Sequence, residues 1–528
     1  MRFATAVTLP AAALLASGAA VYASPTSQSP TSCDKLQPPK IPGVKYQSVQ
    51  RIQHTDAPFP NPLTGGTVPL SYCEVIVTLS HAGGNDNVIV KTWLPNADKW
   101  NGRFQGTGGG GYRAGYLDIA LAPAVARGYA AVSTDAGVGL SDTGDFILKP
   151  NSTRIDKTLL ENFSKRSLHE MTVMGKDLTR QFYGKKHFYS YWNGCSTGGR
   201  QGYMEAQNYP EDYEGLLAAA PAINWARFVP AGYVVDLYRQ KIGYNKPACE
   251  LAEITKRAVD ACDGLDGFKD GIVAATSECH FDASTLVGQP FTCSTTGESL
   301  TFSKEGADIA NLAWHGFEEN GKRVWYGANV GTNLTQVSGI DTTFTHYSDA
   351  WLRLAVEQNR AFNLTTLDAH GLYKAVKESV KRYDDLIGTA DPDLRKAYKH
   401  GAKILTWQGL QDQAVLPTGV IDYYTRVKQK LGGKVNIDDF YRVFFAPGVQ
   451  HCQGGTGPLP DDPLAALVDW VEKGKAPDRL PATTQDSRKL QQPLCKYPKL
   501  PRYTANGDLE CRDTAFAQNF TPLDPLRR

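Results

Sequence analysis

A serine stands in Gly194-Cys195-Ser196-Thr197-Gly198-Gly199, after a β-forming run from His187 to Trp192 and before a helix-forming stretch from Arg200 to Asn208. This is a G-x-S-x-G pattern in a strand-turn-helix setting. A serine hydroxyl is a weak nucleophile unless a sharp turn presents it beside a base, and flanking glycines give the backbone room for that turn. The base must come from downstream. His451 follows the strand predicted for Tyr441 to Ala446, in Pro447-Gly448-Val449-Gln450-His451-Cys452, and Asp412 follows the strand predicted for Ile404 to Trp407, in Trp407-Gln408-Gly409-Leu410-Gln411-Asp412. A carboxylate so placed can accept the Nδ1–H of a histidine and fix its tautomer. Taken singly, Asp412 reads as a turn former and His451 as an ordinary surface or core histidine. Their chain order (nucleophile, acid, histidine) and their positions beyond strand ends single them out as orienting acid and general base. His169-Glu170 does not begin a zinc motif, because Val173 occupies the position of the second histidine.

Cys195 directly precedes the candidate nucleophile and Cys452 directly follows the candidate base. If Ser196 and His451 meet, these neighbours fall within disulfide reach and would fasten the two loops together. Acyl transfer also needs donors for a developing oxyanion. The Thr197 N–H is one candidate. The run Gly108 to Gly111 offers the other, with Gly109 and Gly110 as its central candidates, since bare backbone can approach a substrate carbonyl closely. The run lacks a Gly-Lys-Ser/Thr end, and no G-x-G-x-x-G register in it is followed by a convincing acidic residue, which makes phosphate binding the weaker reading.

Positioning these groups requires a sheet. Val68 to Ser80 and Val88 to Leu94 alternate apolar and polar residues around Gly83-Gly84-Asn85-Asp86, and read as an antiparallel pair. Further on, short apolar runs alternate with helices. Tyr129 to Ser133 is a buried strand, and Leu168, Met171, Met174, Leu178 and Phe182 share one helical face. The rhythm returns late with a helix from Val420 to Leu431 and another after Asp462-Pro463 that ends at Gly474. Strands alternating with helices give an α/β class with a largely parallel sheet. Between the halves, from about Trp225 to Pro392, the sequence turns aromatic-rich and loop-heavy. Because the catalytic pieces flank this stretch, it reads as an insertion into one sheet fold.

The chain has 528 residues, with 56 Lys+Arg against 54 Asp+Glu, so it carries no broad charge suited to nucleic acid or an anionic membrane. Residues 1–23 read as a cleavable secretory leader, which makes the protein extracellular. The 10 cysteines then read as disulfides. Asn151, Asn162, Asn333, Asn363 and Asn519 begin Asn-X-Ser/Thr sequons, in keeping with that route.

The set Gly194 to Gly202, Asp412 and His451-Cys452 resembles the tannase and feruloyl esterase family, whose hallmark is a Cys-Ser, Asp, His-Cys combination. Similarity continues through Arg103 to Gly115, Ser167 to Asp177, Tyr209 to Gly215, Val468 to Pro477 and Cys495 to Pro498. The resemblance implies an α/β-hydrolase core over residues 24–224 and 393–528, with a lid domain over 225–392. It also implies hydrolysis of phenolic-acid esters such as those of ferulate or gallate. The Gly-rich run Cys262 to Ile272 reads on its own as an Asp/Gly turn cluster. The resemblance implies structural Ca²⁺ there, held by Asp263, Asp266 and Asp270 with the carbonyls of Phe268 and Ile272, and closed by Cys262–Cys279. It further suggests Cys33–Cys73 and Cys495–Cys511, which leaves Cys249 with Cys293. Trp225, Phe228, Tyr233, Trp314, Trp325 and Trp351 are candidates to line an aromatic pocket. The favoured substrate is a feruloyl ester of plant cell-wall polysaccharide. The rivals are a tannase cleaving galloyl esters, a secreted peptidase, and a non-catalytic binding protein on a hydrolase fold.

Overall fold

The alternating residues after Val68 form β2 (Thr67–His81), which pairs antiparallel with β1 (Val44–Pro60) on one side and β3 (Val88–Pro95) on the other. In this computed structural model, residues 29–60, 66–340, 344–514, 520–524 and 526 are described. The proposed leader, residues 1–23, and the Asn519 sequon lie outside them. The sheet continues through β4 (Arg103–Thr107), β5 (Ala130–Thr134), β6 (Tyr189–Cys195), β7 (Gly215–Ala219), β8 (Lys403–Gly409) and β9 (Tyr441–Ala446). Its 9 strands run in the order β1-β2-β3-β5-β4-β6-β7-β8-β9, antiparallel as far as β5 and parallel from β5 onward.

Helices cover both faces, so successive strand residues enter two different cores. On one face Ala130 and Val132 of β5 pack under α2 (Ser167–Tyr183), α3 (Thr197–Asn208) and α4 (Pro417–Leu431). On the other, Ala131 packs under α1 (Asp118–Ala126) and α5 (Pro463–Lys473). Leu168, Met171, Met174 and Leu178 are fully buried as their spacing predicts, while Phe182 lies half-buried at the rim of the same core. α5 begins with Asp462 accepting from the Ala465 N–H at 3.0 Å and ends at Gly474 in the left-handed region, φ 67°.

The chain between β7 and β8 forms the inserted region. It contains helices Trp225–Ala231, Val234–Lys241, Ala248–Cys262, Lys304–His315 and Ala369–Tyr383, and a hairpin of Gly316–Glu319 with Lys322–Tyr326. One of its apolar clusters, containing Trp225, Trp325 and Trp351, also takes in Tyr112 and Phe163 of the catalytic half, so the lid sits on the strand ends that carry the glycine loop. All five suggested disulfides form: Cys33–Cys73, Cys195–Cys452, Cys249–Cys293, Cys262–Cys279 and Cys495–Cys511. Among the described residues no helix is long and apolar enough to cross a membrane.

Candidate active site

β6 runs straight into the nucleophile turn, and α3 begins at Thr197. Ser196 sits between them at φ 64°, ψ −123°, a strained conformation for a residue with a side chain. The turn is held by the Ser196 N–H donating to Ala219 O (3.1 Å) and the Gly198 N–H donating to Gly109 O (3.0 Å). The flanking glycines are required by space. A Cβ on Gly194 would lie 2.5 Å from the Gly198 carbonyl oxygen, and one on Gly199 2.2 Å from that of Ala219.

Asp412 and His451 follow the ends of the neighbouring strands β8 and β9. Asp412 is fully buried. Its Oδ1 accepts the N–H groups of Ala414 and Val415, each at 2.8 Å, while Oδ2 accepts from Gln408 Nε2 at 2.6 Å and bonds His451 Nδ1 at 2.8 Å. With Nδ1–H committed to the carboxylate, Nε2 is left as the proton acceptor. The His451 main chain donates to Gln413 Oε1 at 3.2 Å, and Phe344 packs edge-on against the imidazole. Ser196 and His451 line the same cavity, and the Cys195–Cys452 bond beside them brings the Cα atoms of those cysteines to 6.0 Å.

That cavity, about 560 Å³, also takes in Thr197 and Gly108 to Gly111. Two of the glycine candidates are already committed. The Gly109 N–H donates to Gln201 Oε1 (3.0 Å) and the Gly110 N–H to Arg113 O (3.2 Å). Gly108 donates to Asn193 O, which leaves Gly111 as the amide of this run with no protein acceptor among the described residues. The Thr197 N–H, in the first turn of α3, has no helical partner either. Of the glycines expected to receive an oxyanion, Gly109 and Gly110 thus have their N–H groups engaged, while that of Gly111 has no acceptor among the described residues. Choosing among the four required knowing side-chain partners such as Gln201, which no local pattern reveals.

Of the aromatics singled out in the sequence, Trp225, Phe228 and Trp325 line the cavity. Tyr233 and Trp351 belong to the lid's own core, and Trp314 faces a separate cavity. Phe317, Tyr326, Phe344 and Tyr347 line the active cavity as well and carried no local signal. Among the described residues the lining contains no Asp, Glu, Lys or Arg side chain. The sequon at Asn162 is taken up in a buried network. The Asn162 side chain donates to Asp86 (2.8 Å) and accepts from Arg166, so its amide is not presented for glycosylation in the folded protein.

In the acidic loop, Asp263 Oδ1 accepts the N–H groups of Asp270, Gly271 and Ile272, and Asp266 Oδ1 accepts that of Phe268. Burial, with repulsion from neighbouring carboxylates, raises Asp266 to about 6 and moves Asp270 in the same direction. Three crowded carboxylates with loop carbonyls are donors of the kind a hard divalent cation takes. Among the described residues, however, no three acidic, His or Cys side chains converge in metal-ligand geometry.

A histidine held by a buried carboxylate, a strained serine and uncommitted amides lining one cavity can perform acyl transfer. The family model described as "Tannase and feruloyl esterase" matches residues 73–518. A protein of Arthroderma benhamiae described as "Probable feruloyl esterase" is 38% identical, over 96% of this chain and 98% of its own, and a tannase of Aspergillus oryzae is 28% identical, over 85% and 86%. Among solved structures, a tannin acyl hydrolase from Aspergillus niger superposes with a TM-score of 0.85 at 26% identity, covering 94% of this chain and 97% of its own. Feruloyl esterase B from Aspergillus oryzae gives 0.75 at 26% identity, covering 90% and 97%. With an α/β-hydrolase sheet and these relatives, the chain belongs to the tannase and feruloyl esterase family and is a carboxylic ester hydrolase.

Proposed function

We propose that the protein is a secreted feruloyl esterase that cleaves hydroxycinnamoyl esters of plant cell-wall polysaccharide through an acyl-enzyme. Ser196 Oγ attacks the ester carbonyl while His451 Nε2 takes its proton, and Asp412 stabilises the imidazolium. The N–H groups of Thr197 and Gly111 receive the oxyanion. Collapse breaks the bond to the alcohol oxygen, which leaves with the proton returned by His451. Water activated by the same histidine then attacks the acyl-enzyme, releasing the acid and restoring the serine.

The observation that carries the choice of acid is the lining of the cavity, which is apolar over most of its wall and uncharged among the described residues. A galloyl ring has three adjacent hydroxyls, each of which loses water on burial and needs a partner, and the described lining offers them only neutral acceptors such as Gln336, Gln413 and Gln453, which bind a hydroxyl less strongly than a carboxylate does. A feruloyl group has one hydroxyl, a methoxy group and a longer conjugated stem, which suit walls of Trp225, Phe228, Val234, Phe317 and Trp325. The galloyl reading keeps one observation in its favour, the higher TM-score with the tannin acyl hydrolase. The test is initial rates on methyl ferulate, caffeate, p-coumarate, sinapate and gallate, and ferulate release from feruloylated xylan. The expected preference is for hydroxycinnamates; turnover of gallate alone would overturn it. Ser196→Ala should lower kcat by roughly 10⁴–10⁶-fold, and a fully active alanine variant would remove the mechanism.

The same reading includes structural Ca²⁺ at Asp263, Asp266 and Asp270, with the carbonyls of Phe268 and Ile272. It is supported by the donor chemistry of the loop and by the Cys262–Cys279 bond that closes it. Adding Ca²⁺ to chelator-treated protein should raise Tm by several degrees, as a ligand bound to the folded state alone does. An unchanged Tm would remove the ion from the proposal.

A further inference from the structure

Among the described residues the glycine loop has one uncommitted amide, and the groups on either side of it are tied down. The Gly111 carbonyl accepts from Thr197 Oγ1 at 2.7 Å, and the next N–H, that of Tyr112, donates to Asp142 Oδ1 at 2.7 Å. Gly111 itself is at φ +57°, and a Cβ there would fall 2.2 Å from Asp142 Oδ1 and 2.6 Å from the Tyr347 hydroxyl. Asp142 therefore lies against the segment that carries the free amide. Its second oxygen points to the lid, where Oδ2 accepts from the Tyr347 hydroxyl at 2.7 Å and pairs with Arg113 at 3.2 Å. The link is double, because the Tyr112 hydroxyl donates to the main-chain oxygen of Tyr347 at 2.8 Å. Tyr347 belongs to the lid helix Thr345–Ala350 and lines the cavity.

We propose that Asp142 is a positioning residue for the ester hydrolysis: it fixes the Gly111–Tyr112 segment so that the Gly111 N–H faces the developing oxyanion, and through Tyr347 it ties that arrangement to a seated lid. Two physical points support this. An oxyanion donor works by being oriented before charge develops, so the groups that restrain its peptide matter as much as the donor. A carboxylate this near a developing negative charge is otherwise unfavourable, and the Arg113 guanidinium beside it offsets that charge. Burial and the neighbouring Asp142 raise the Tyr347 phenol, so it remains a neutral hydrogen-bond donor throughout the working pH range.

The inference rests on the Ser196 acyl-transfer reading, and the experiment separates the two. Asp142→Ala, Asp142→Asn and Tyr347→Phe are compared with wild type for kcat and KM on methyl ferulate. Affinities for an aryl boronic acid, which mimics the tetrahedral state on serine, and for free ferulate are measured in parallel. Asp142→Ala should lower kcat by roughly 10²–10³-fold, keep KM within about 3-fold, and weaken the boronate by a factor similar to its loss in kcat/KM while ferulate binding is unchanged. Asp142→Asn keeps an oxygen for the Tyr112 N–H and should recover activity to within about tenfold of wild type, and Tyr347→Phe should lose about 3–10-fold in kcat. Unchanged kcat in Asp142→Ala overturns the proposal, as does equal weakening of boronate and ferulate. Where the alanine variant does not fold, Asp142→Asn and Tyr347→Phe decide, and full activity with wild-type boronate affinity in both overturns it. An inactive Ser196→Ala beside a fully active Asp142→Ala defeats this inference alone; an active Ser196→Ala defeats the mechanism beneath it.

Discussion

The two walls of the active cavity are built from different materials. The core wall is main chain held at close quarters: a strained Ser196, glycines whose Cβ atoms would collide with carbonyl oxygens, and amides tied to named partners except, among the described residues, those of Thr197 and Gly111. The lid wall is side chain, with Trp225, Phe228, Val234, Phe317, Trp325 and Phe344 presenting apolar surface. Backbone so confined admits few substitutions, whereas apolar surface tolerates exchange at modest cost. On the proposed mechanism the bond-breaking step belongs to the core wall and the choice of acid to the lid wall, and substitutions on the two sides should separate in kind as well as in size.

The sharpest break on the core side is Asp412→Asn. The amide keeps the shape but cannot hold His451 in the tautomer that leaves Nε2 basic, so kcat should fall by about 10⁴-fold with KM little changed. A loss below tenfold, read by steady-state kinetics, would show that the His451 orientation is fixed elsewhere. Next in size is the double variant Cys195→Ala with Cys452→Ala. The bond joins the nucleophile and histidine loops across a sequence separation of 257. Freeing them should cost roughly 10²-fold in kcat, the penalty for a displacement of about 1 Å between reacting groups. Unfolding by urea should also show a loss of about 2–5 kcal/mol.

This division also explains what the sequence revealed. The core wall was legible because each group follows a strand end, and strands announce themselves by pattern. β6, β8 and β9 lead to Ser196, Asp412 and His451 in the order expected. β1 escaped because it is an edge strand with Pro58 and Pro60 and many exposed positions, so it lacks the apolar alternation of its neighbour. The lid wall was half legible. Aromatic composition identified Trp225, Phe228 and Trp325, but Phe344 and Tyr347 reach the cavity through irregular tertiary packing. The Tyr347 to Asp142 bond joins residues 205 positions apart. The free amide at Gly111 was hidden for the same reason: its neighbours are silenced by Gln201 and Arg113, a fact of long-range contact and not of spacing.

On the lid side, Phe228→Ala removes a partly exposed ring from the cavity wall, where it lies against Trp325. Its effect should be confined to acids large enough to touch it. A drop of roughly tenfold in kcat/KM for methyl ferulate, with acetyl esters within about 3-fold, corresponds to the loss of about 1.4 kcal/mol of apolar contact. Equal losses for both esters would mean that the ring supports the catalytic groups, and the separation of the two walls would fail.

A last effect lies within the core and concerns stability, with no expected change in turnover. Glu205 is buried on α3, the nucleophile helix, and burial together with the nearby Asp212 carboxylate raises it well above its ordinary value of 4.5. The native state then keeps a proton that the unfolded chain gives up. Its stabilising contribution is complete below that ordinary value and is lost as pH rises toward the native one, by up to about 1.4 kcal/mol per pH unit. His169, raised chiefly by its hydrogen bond to Asp212, adds a loss of the same sign. Glu205→Gln keeps a neutral group on the helix and leaves the His169 contact in place, so the difference between the two stability curves isolates the glutamate. Melting temperatures from pH 5 to pH 8 should fall more steeply for wild type than for the variant, while kcat/KM on methyl ferulate stays the same. Parallel curves would mean that Glu205 titrates alike in the folded and unfolded chains, and that the nucleophile helix carries its buried acid without any proton linkage to folding.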